Sequence, residues 1–182
     1  MKWTIPGTTL QIDRKEAEHV EDIFQSMFLA GGMVLGQVAQ ITGLEYYTVQ
    51  NWVKRGFLSP PKNRRYSLSQ LCRIIQINML RKTLSLETVC RLLEYINGKL
   101  DEEKDDLIDD ATLFFLFVRL AVQARQLDEP HRWEAEIEDS LKHYQEPVPG
   151  ARERVEKALQ IMLTAWIASQ MRQAAETMLQ QL

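Results

Sequence analysis

Tyr46, Tyr47, Gln50, Asn51 and Lys54 recur at the three- and four-residue spacing of one helical face. Lys62, Arg64, Arg65 and Tyr66 follow shortly after them. Asn and Gln pair bidentately with adenine, tyrosine meets a phosphate or a thymine methyl, and clustered Lys and Arg neutralise backbone charge. The chemistry these residues offer is recognition of double-stranded DNA. The remaining reactive side chains are scattered. His19, His131 and His143 fall in separate segments with no partner in catalytic order, and read as surface or capping residues. Cys72 and Cys90 have no further His or Cys at ligand spacing and read as buried core thiols. Asp105, Asp106, Asp109 and Asp110 stand at helical spacing for a divalent ion. The run DEEKDDLIDD nevertheless lacks the alternating oxygen ligands and glycine of a calcium loop, so a solvated helix start is the expectation. With no phosphate-cradling glycine loop, the chain is expected to be no enzyme and to hold no cofactor or metal.

The elements that must position the DNA-facing set are legible in the stretch from Leu35 to Tyr66, LGQVAQITGLEYYTVQNWVKRGFLSPPKNRRY. Val38 and Ala39 belong to a first short helix, with Ala39 small enough for a helix crossing. Gly43 suits the left-handed conformation that ends a helix. Val49, Trp52 and Val53 give a second helix its apolar face, with Trp52 inward, and the opposite face carries Glu45, Tyr46, Tyr47, Gln50, Asn51 and Lys54. This is the pattern of a helix-turn-helix, whose second helix enters the major groove. Pro60-Pro61 stops the chain, and Lys62 to Tyr66 reads as a flexible basic loop or wing. Ser67, with Gln70 three residues on, caps the next helix.

LGQVAQITGLEYYTVQNWVKRGFL, the basic segment ending in RRY and the later SLETVCRLL together resemble the DNA-binding domain of MerR-type transcriptional regulators. The chain is more similar still to an uncharacterised bacterial family, a domain of unknown function with a MerR-like N-terminal half. The likeness covers about residues 33–97, and it departs from the MerR pattern at Gln50-Asn51-Trp52 and in a shorter wing. The resemblance implies a homodimeric, DNA-binding transcriptional regulator.

Charge is distributed accordingly. The chain has a net charge of −3 over 182 residues, but residues 31–99 carry +7 against −2 before them and −8 after. A basic segment beside an acidic companion favours a nucleic-acid partner. No membrane span or signal peptide is expected, and two cysteines without a disulfide framework agree with the cytoplasm.

The expected fold is all-α: a MerR-like winged helix-turn-helix domain with an extra N-terminal helix over residues 1–100, then a helical bundle over 101–182. Residues 1–13 read as an irregular arm with a Pro6-Gly7 turn, and Arg14 to Leu29 as one helix with Val20, Ile23, Phe24, Met27 and Phe28 inward. Helices follow from Leu68 to Lys82 and from Ser85 to Asn97. LFFLFVRLAV is apolar around nearly its whole girth, so it is either buried or an oligomer interface. Asp128-Glu129-Pro130 starts another helix. Ala151 to Leu182, free of proline and glycine, reads as one helix of about 45 Å. Its uncharged middle, around Met162, Leu163, Trp166 and Ile167, is the expected dimer interface. A second reading is a non-catalytic protein-interaction scaffold that keeps the helix-turn-helix fold. A third, compatible with the first, is a regulator whose C-terminal bundle senses a small-molecule effector.

Overall fold

The computed structural model describes residues 2–98, 100, 106–124 and 131–181. The first part of the acidic run, Asp101 to Asp105, and the helix start at Asp128 to Pro130 lie outside the described residues. The fold is mostly helical, with one small antiparallel hairpin.

That hairpin replaces the irregular arm expected at the start. Lys2, Trp3, Thr4 and Ile5 alternate outward and inward, the period of a half-buried strand. β1 (Lys2–Thr4) accordingly pairs with β2 (Gln11–Asp13), Trp3 lying opposite Ile12. The Pro6-Gly7 turn does form. Gly7 has φ 75°, and a Cβ there would lie 2.5 Å from the Ile75 carbonyl oxygen, so no other residue fits.

Asp13 and Glu16 form a reciprocal cap, but the first turns after it are a 3₁₀ helix, Arg14–His19, before α1 (Val20–Met27) begins. The expected single helix is thus two pieces sharing one buried face of Ala17, Val20 and Phe24.

α2 (Leu35–Thr42) ends at Gly43, with φ 67°, and α3 (Tyr46–Lys54) follows after that short turn. α4 (Leu68–Leu80) starts at the Ser67–Gln70 capping box and is buried on all sides from Leu71 to Leu80. α5 (Leu86–Asn97) is capped by Ser85. α6 (Asp110–Ala124) carries the LFFLFVRLAV stretch and is likewise buried around most of its girth, against α4, α8, α7 and α1 of its own chain. α7 (His131–Ser140) and the long α8 (Ala151–Leu179) complete the order.

One contiguous core runs through both halves and across the boundary expected at residue 100. Phe24 of α1 meets Phe114 and Phe115 of α6 edge-on, at 5.6 and 5.7 Å between ring centroids, and Phe117 meets Trp166 of α8 at 6.1 Å. α4 is the axis of this core. The first helix after the basic segment is therefore also the centre of the C-terminal bundle.

The dimer interface expected at Met162, Leu163 and Trp166 is corrected by this packing. All three side chains are buried within their own chain, and Ile167 is half-buried. An apolar stripe reads alike whether it faces its own bundle or a second copy, and here its own bundle covers it.

Candidate nucleic-acid interface

Three anchors hold α3 with one face outward. Gly43 turns the chain, its N–H donating to the Ala39 carbonyl at 2.8 Å. Leu44, Val49 and Trp52 are buried beneath the helix. The Arg81 guanidinium, from the residue after α4, lies over the Trp52 ring at 5.7 Å and backs the helix from behind. Tyr46, Tyr47, Gln50, Asn51 and Lys54 are all exposed as a consequence, on one face. Tyr47 is 65% exposed and Tyr46 56%. Tyr46 leans on α2: a Cβ at Gly36 would lie 3.2 Å from its hydroxyl.

Two further contacts settle the end of α3. Arg55 donates to the Glu87 carboxylate at 2.8 Å, and its guanidinium covers the Phe57 ring at 4.6 Å. The Glu87 carboxyl is lowered, first by its own backbone N–H at the start of α5 and then by Arg55.

The basic segment is a tight hairpin where a flexible loop was expected. Lys62 and Arg65 pair, the Arg65 N–H donating to the Lys62 carbonyl at 2.9 Å. Asn63 and Arg64 occupy the tip with φ 50° and 61°. Both central residues at positive φ mark the turn type that matches strand twist; Asn tolerates it, whereas Arg is strained there. The base of the hairpin is fastened twice. Met33 and Tyr66 exchange backbone hydrogen bonds at 2.9 and 2.7 Å, and Arg65 Nη1 donates to the Gly32 carbonyl at 2.7 Å. Lys62 and Arg64 are exposed.

Tyr66 is a correction to the expected set. It is 3% exposed, with its hydroxyl pushed up from the ordinary value by burial, so it supports the hairpin from within. Its core role follows from the long-range pairing with Met33, which no local spacing reveals.

The acidic run is also corrected in part. Asp109 caps α6, accepting from the Thr112 N–H at 2.9 Å and from the Ser69 hydroxyl at 2.6 Å. Asp110 is no solvated carboxylate: its side chain is 13% exposed and lies 3.3 Å from Arg73, itself 5% exposed. Asn97 Nδ2 donates to the same carboxylate at 3.1 Å, and Gln76 Nε2 to the Asp110 carbonyl at 2.9 Å. A signal for this buried centre existed in Arg73 and Gln76, polar residues set among the apolar ones of α4. Of the divalent-ion set, Asp105 lies outside the described residues. Among the described residues no cluster of three His, Cys, Asp or Glu side chains is placed to hold a metal. Cys72 and Cys90 are both buried, and desolvation raises the Cys72 thiol well above its usual value and pushes Cys90 up to about 11. Among the described residues no helix is long and apolar enough to cross a membrane.

No curated protein and no solved structure matches the chain. Residues 18–114, from α1 through α5 into α6 and thus including the whole candidate interface, match the family described as a domain of unknown function, DUF1836. That match spans more than half of the chain, which therefore belongs to the DUF1836 family.

Proposed function

We propose that the protein is a non-enzymatic, cytoplasmic, DNA-binding transcriptional regulator of MerR-like winged helix-turn-helix type. α2 and α3 form the helix-turn-helix, and the hairpin at Lys62 to Arg65 is its wing. Gln50 and Asn51 face base edges, Tyr46 and Tyr47 meet the flanking phosphates or thymine methyls, and Lys54, Lys62 and Arg64 meet phosphates. The observation that carries this reading is the outer face of α3. Five polar, aromatic or cationic side chains stand exposed on a helix whose inner face is locked by Val49 and Trp52, and the basic hairpin that follows it in the chain is clamped at its base. A face so exposed and so firmly backed is suited to docking as a rigid body.

One such unit covers a single half-site, and specific affinity calls for two related by a two-fold axis. The protein is proposed to act as a homodimer for that reason. A surface open to pairing is the last part of α8, where Met171, Met178 and Leu179 are exposed.

A fluorescence-anisotropy titration against random duplex DNA at several salt concentrations tests the reading. Binding should weaken with salt, log K falling by about 0.9 per log unit of salt for each phosphate neutralised. Absence of binding at low salt would reject the regulator and leave the scaffold reading.

A further inference from the structure

A cleft of about 480 Å³ opens between the N-terminal hairpin, the end of α4 and the last third of α8. That volume falls in the range of small-molecule sites. Trp3 and Trp166, both nearly buried, are among its lining residues. The cationic residues Lys2 and Lys82 and the polar residues Thr4, Gln170, Gln173 and Thr177 line it as well. No carboxylate lines it, although the chain as a whole has more Asp and Glu than Lys and Arg.

The helix that forms one wall is turned the wrong way round for simple packing. Along its first two-thirds α8 sets Val155, Leu159, Met162 and Trp166 against the body. Beyond Ser169 it presents Gln170, Gln173 and Thr177 to the cleft, while Met171, Met178 and Leu179 face solvent. A helix end that only docked would turn its apolar side inward. A polar stripe held across an open cleft from two lysines is the arrangement for a bound polar anion.

We infer that this cleft is a binding site for a small organic anion carrying two or more carboxylate or phosphate groups, held between Lys2 and Lys82 and oriented by the Gln173 amide. The cleft also has a direct line to the helix-turn-helix. Asn78 Nδ2 donates to the Gly7 carbonyl at 3.0 Å in the cleft wall and to the Thr42 carbonyl at 2.9 Å at the end of α2. The Thr9 N–H and hydroxyl donate to the Ile41 and Gln40 carbonyls at 2.7 and 2.8 Å. An anion that draws the hairpin toward α8 pulls on the turn at Gly43. This regulatory half rests on the DNA-binding reading, whereas the binding half does not.

The binding half is tested without DNA, on the full chain, by calorimetry and tryptophan emission with citrate and with pyrophosphate at constant ionic strength. At least one probe should bind saturably at millimolar concentration or below, and the one that binds tells carboxylate from phosphate. Lys82→Gln, at an exposed position, should weaken binding about tenfold or more, as should Gln173→Glu. Lys142→Gln, on a remote exposed lysine, should leave it unchanged. No saturable binding of either probe, or equal binding by the wild type and Lys82→Gln, overturns the site. Anisotropy with and without the bound probe then tests the regulatory half. A shift in DNA affinity lost with Lys82→Gln supports it, and an unshifted affinity overturns it while leaving the site standing. A protein that binds the anion and no DNA refutes the DNA reading and, with it, the regulatory half.

Discussion

The Arg73 guanidinium lies 3.3 Å from the Asp110 carboxylate, and both are removed from solvent. Arg73 Nε also donates to the Phe57 carbonyl at 3.3 Å, just beyond α3, so this pair ties the proposed reading head to the start of α6. Removing one member of a buried ion pair leaves an uncompensated charge. Arg73→Met should therefore destabilise the fold by about 3–5 kcal/mol, read by urea denaturation. Replacing both partners, with Asp110→Leu added, should recover part of that loss. An Arg73→Met protein as stable as the wild type would show that the pair holds nothing together.

Burial raises the Asp110 carboxyl above its ordinary value of 3.8, with Arg73 pulling the other way. A folded-state pKa above the unfolded one means that protonation favours the folded chain. This contribution is complete below the unfolded pKa and is lost as pH rises through the folded pKa. The stability of the wild type relative to Asp110→Asn should therefore increase as pH is lowered toward 3.8. Denaturation of both proteins across that acid range gives the answer, and a relative stability that falls on acidification would reverse the sign.

Arg64 and Arg65 should separate on mutation although they are neighbours. Arg64→Glu, at the hairpin tip, should weaken DNA binding on every sequence alike and leave the melting temperature nearly unchanged. Arg65→Glu should do the same and also lower stability by about 1 kcal/mol or more, since its bond to the Gly32 carbonyl is lost. Thermal melts beside anisotropy titrations distinguish them; identical melts would mean that Arg65 fastens nothing.

Gln50→Ala and Asn51→Ala should cost about 1–3 kcal/mol at a cognate site and much less on random DNA, the mark of a base contact. The cognate site comes from selection on a randomised duplex library. Equal losses on both DNAs would assign these residues to the backbone.

On α8 the two ends should respond in opposite ways. Leu163→Glu places a carboxylate in the core and should unfold the chain or cost several kcal/mol, because Leu163 is 1% exposed. Met171→Glu with Met178→Glu, at exposed positions, should keep the helical content and give a monomer with far weaker DNA binding. Sedimentation decides it. A wild type that is monomeric at micromolar concentration removes the dimer from the proposal.

What could be read from the sequence was local. Gly43, Ser67 with Gln70, and Ser85 announced their helix ends because a cap is made within three residues. The apolar girth of Leu113 to Val122 announced a buried helix because periodicity needs only one turn of context. The outward set on α3 followed from Val49 and Trp52 in the same way. Misreadings came where a partner lay far off along the chain. Tyr66 is buried through Met33, Asp110 through Arg73, and Lys2 to Thr4 become a strand through Gln11 to Asp13, and none of these pairings has a signature in its own neighbourhood. The stripe at Met162, Leu163 and Trp166 was visible as apolar, but which surface covers it depends on α4 and α6.

α4 is buried on every side from Leu71 to Leu80, and among the described residues one core runs through both halves of the molecule. A protein whose reading head and control region meet at a linker can swing one against the other and leave both intact. Here the same rod packs against α2 and against α6 and α8 of the bundle, so a swing would shear the interior. Any signal passing between the two ends must travel as a strain of small amplitude through a stiff body, felt as a change in the set of α3 by fractions of an ångström. Substitutions lining that rod should then alter responsiveness and folding together, and variants that uncouple the two should be scarce.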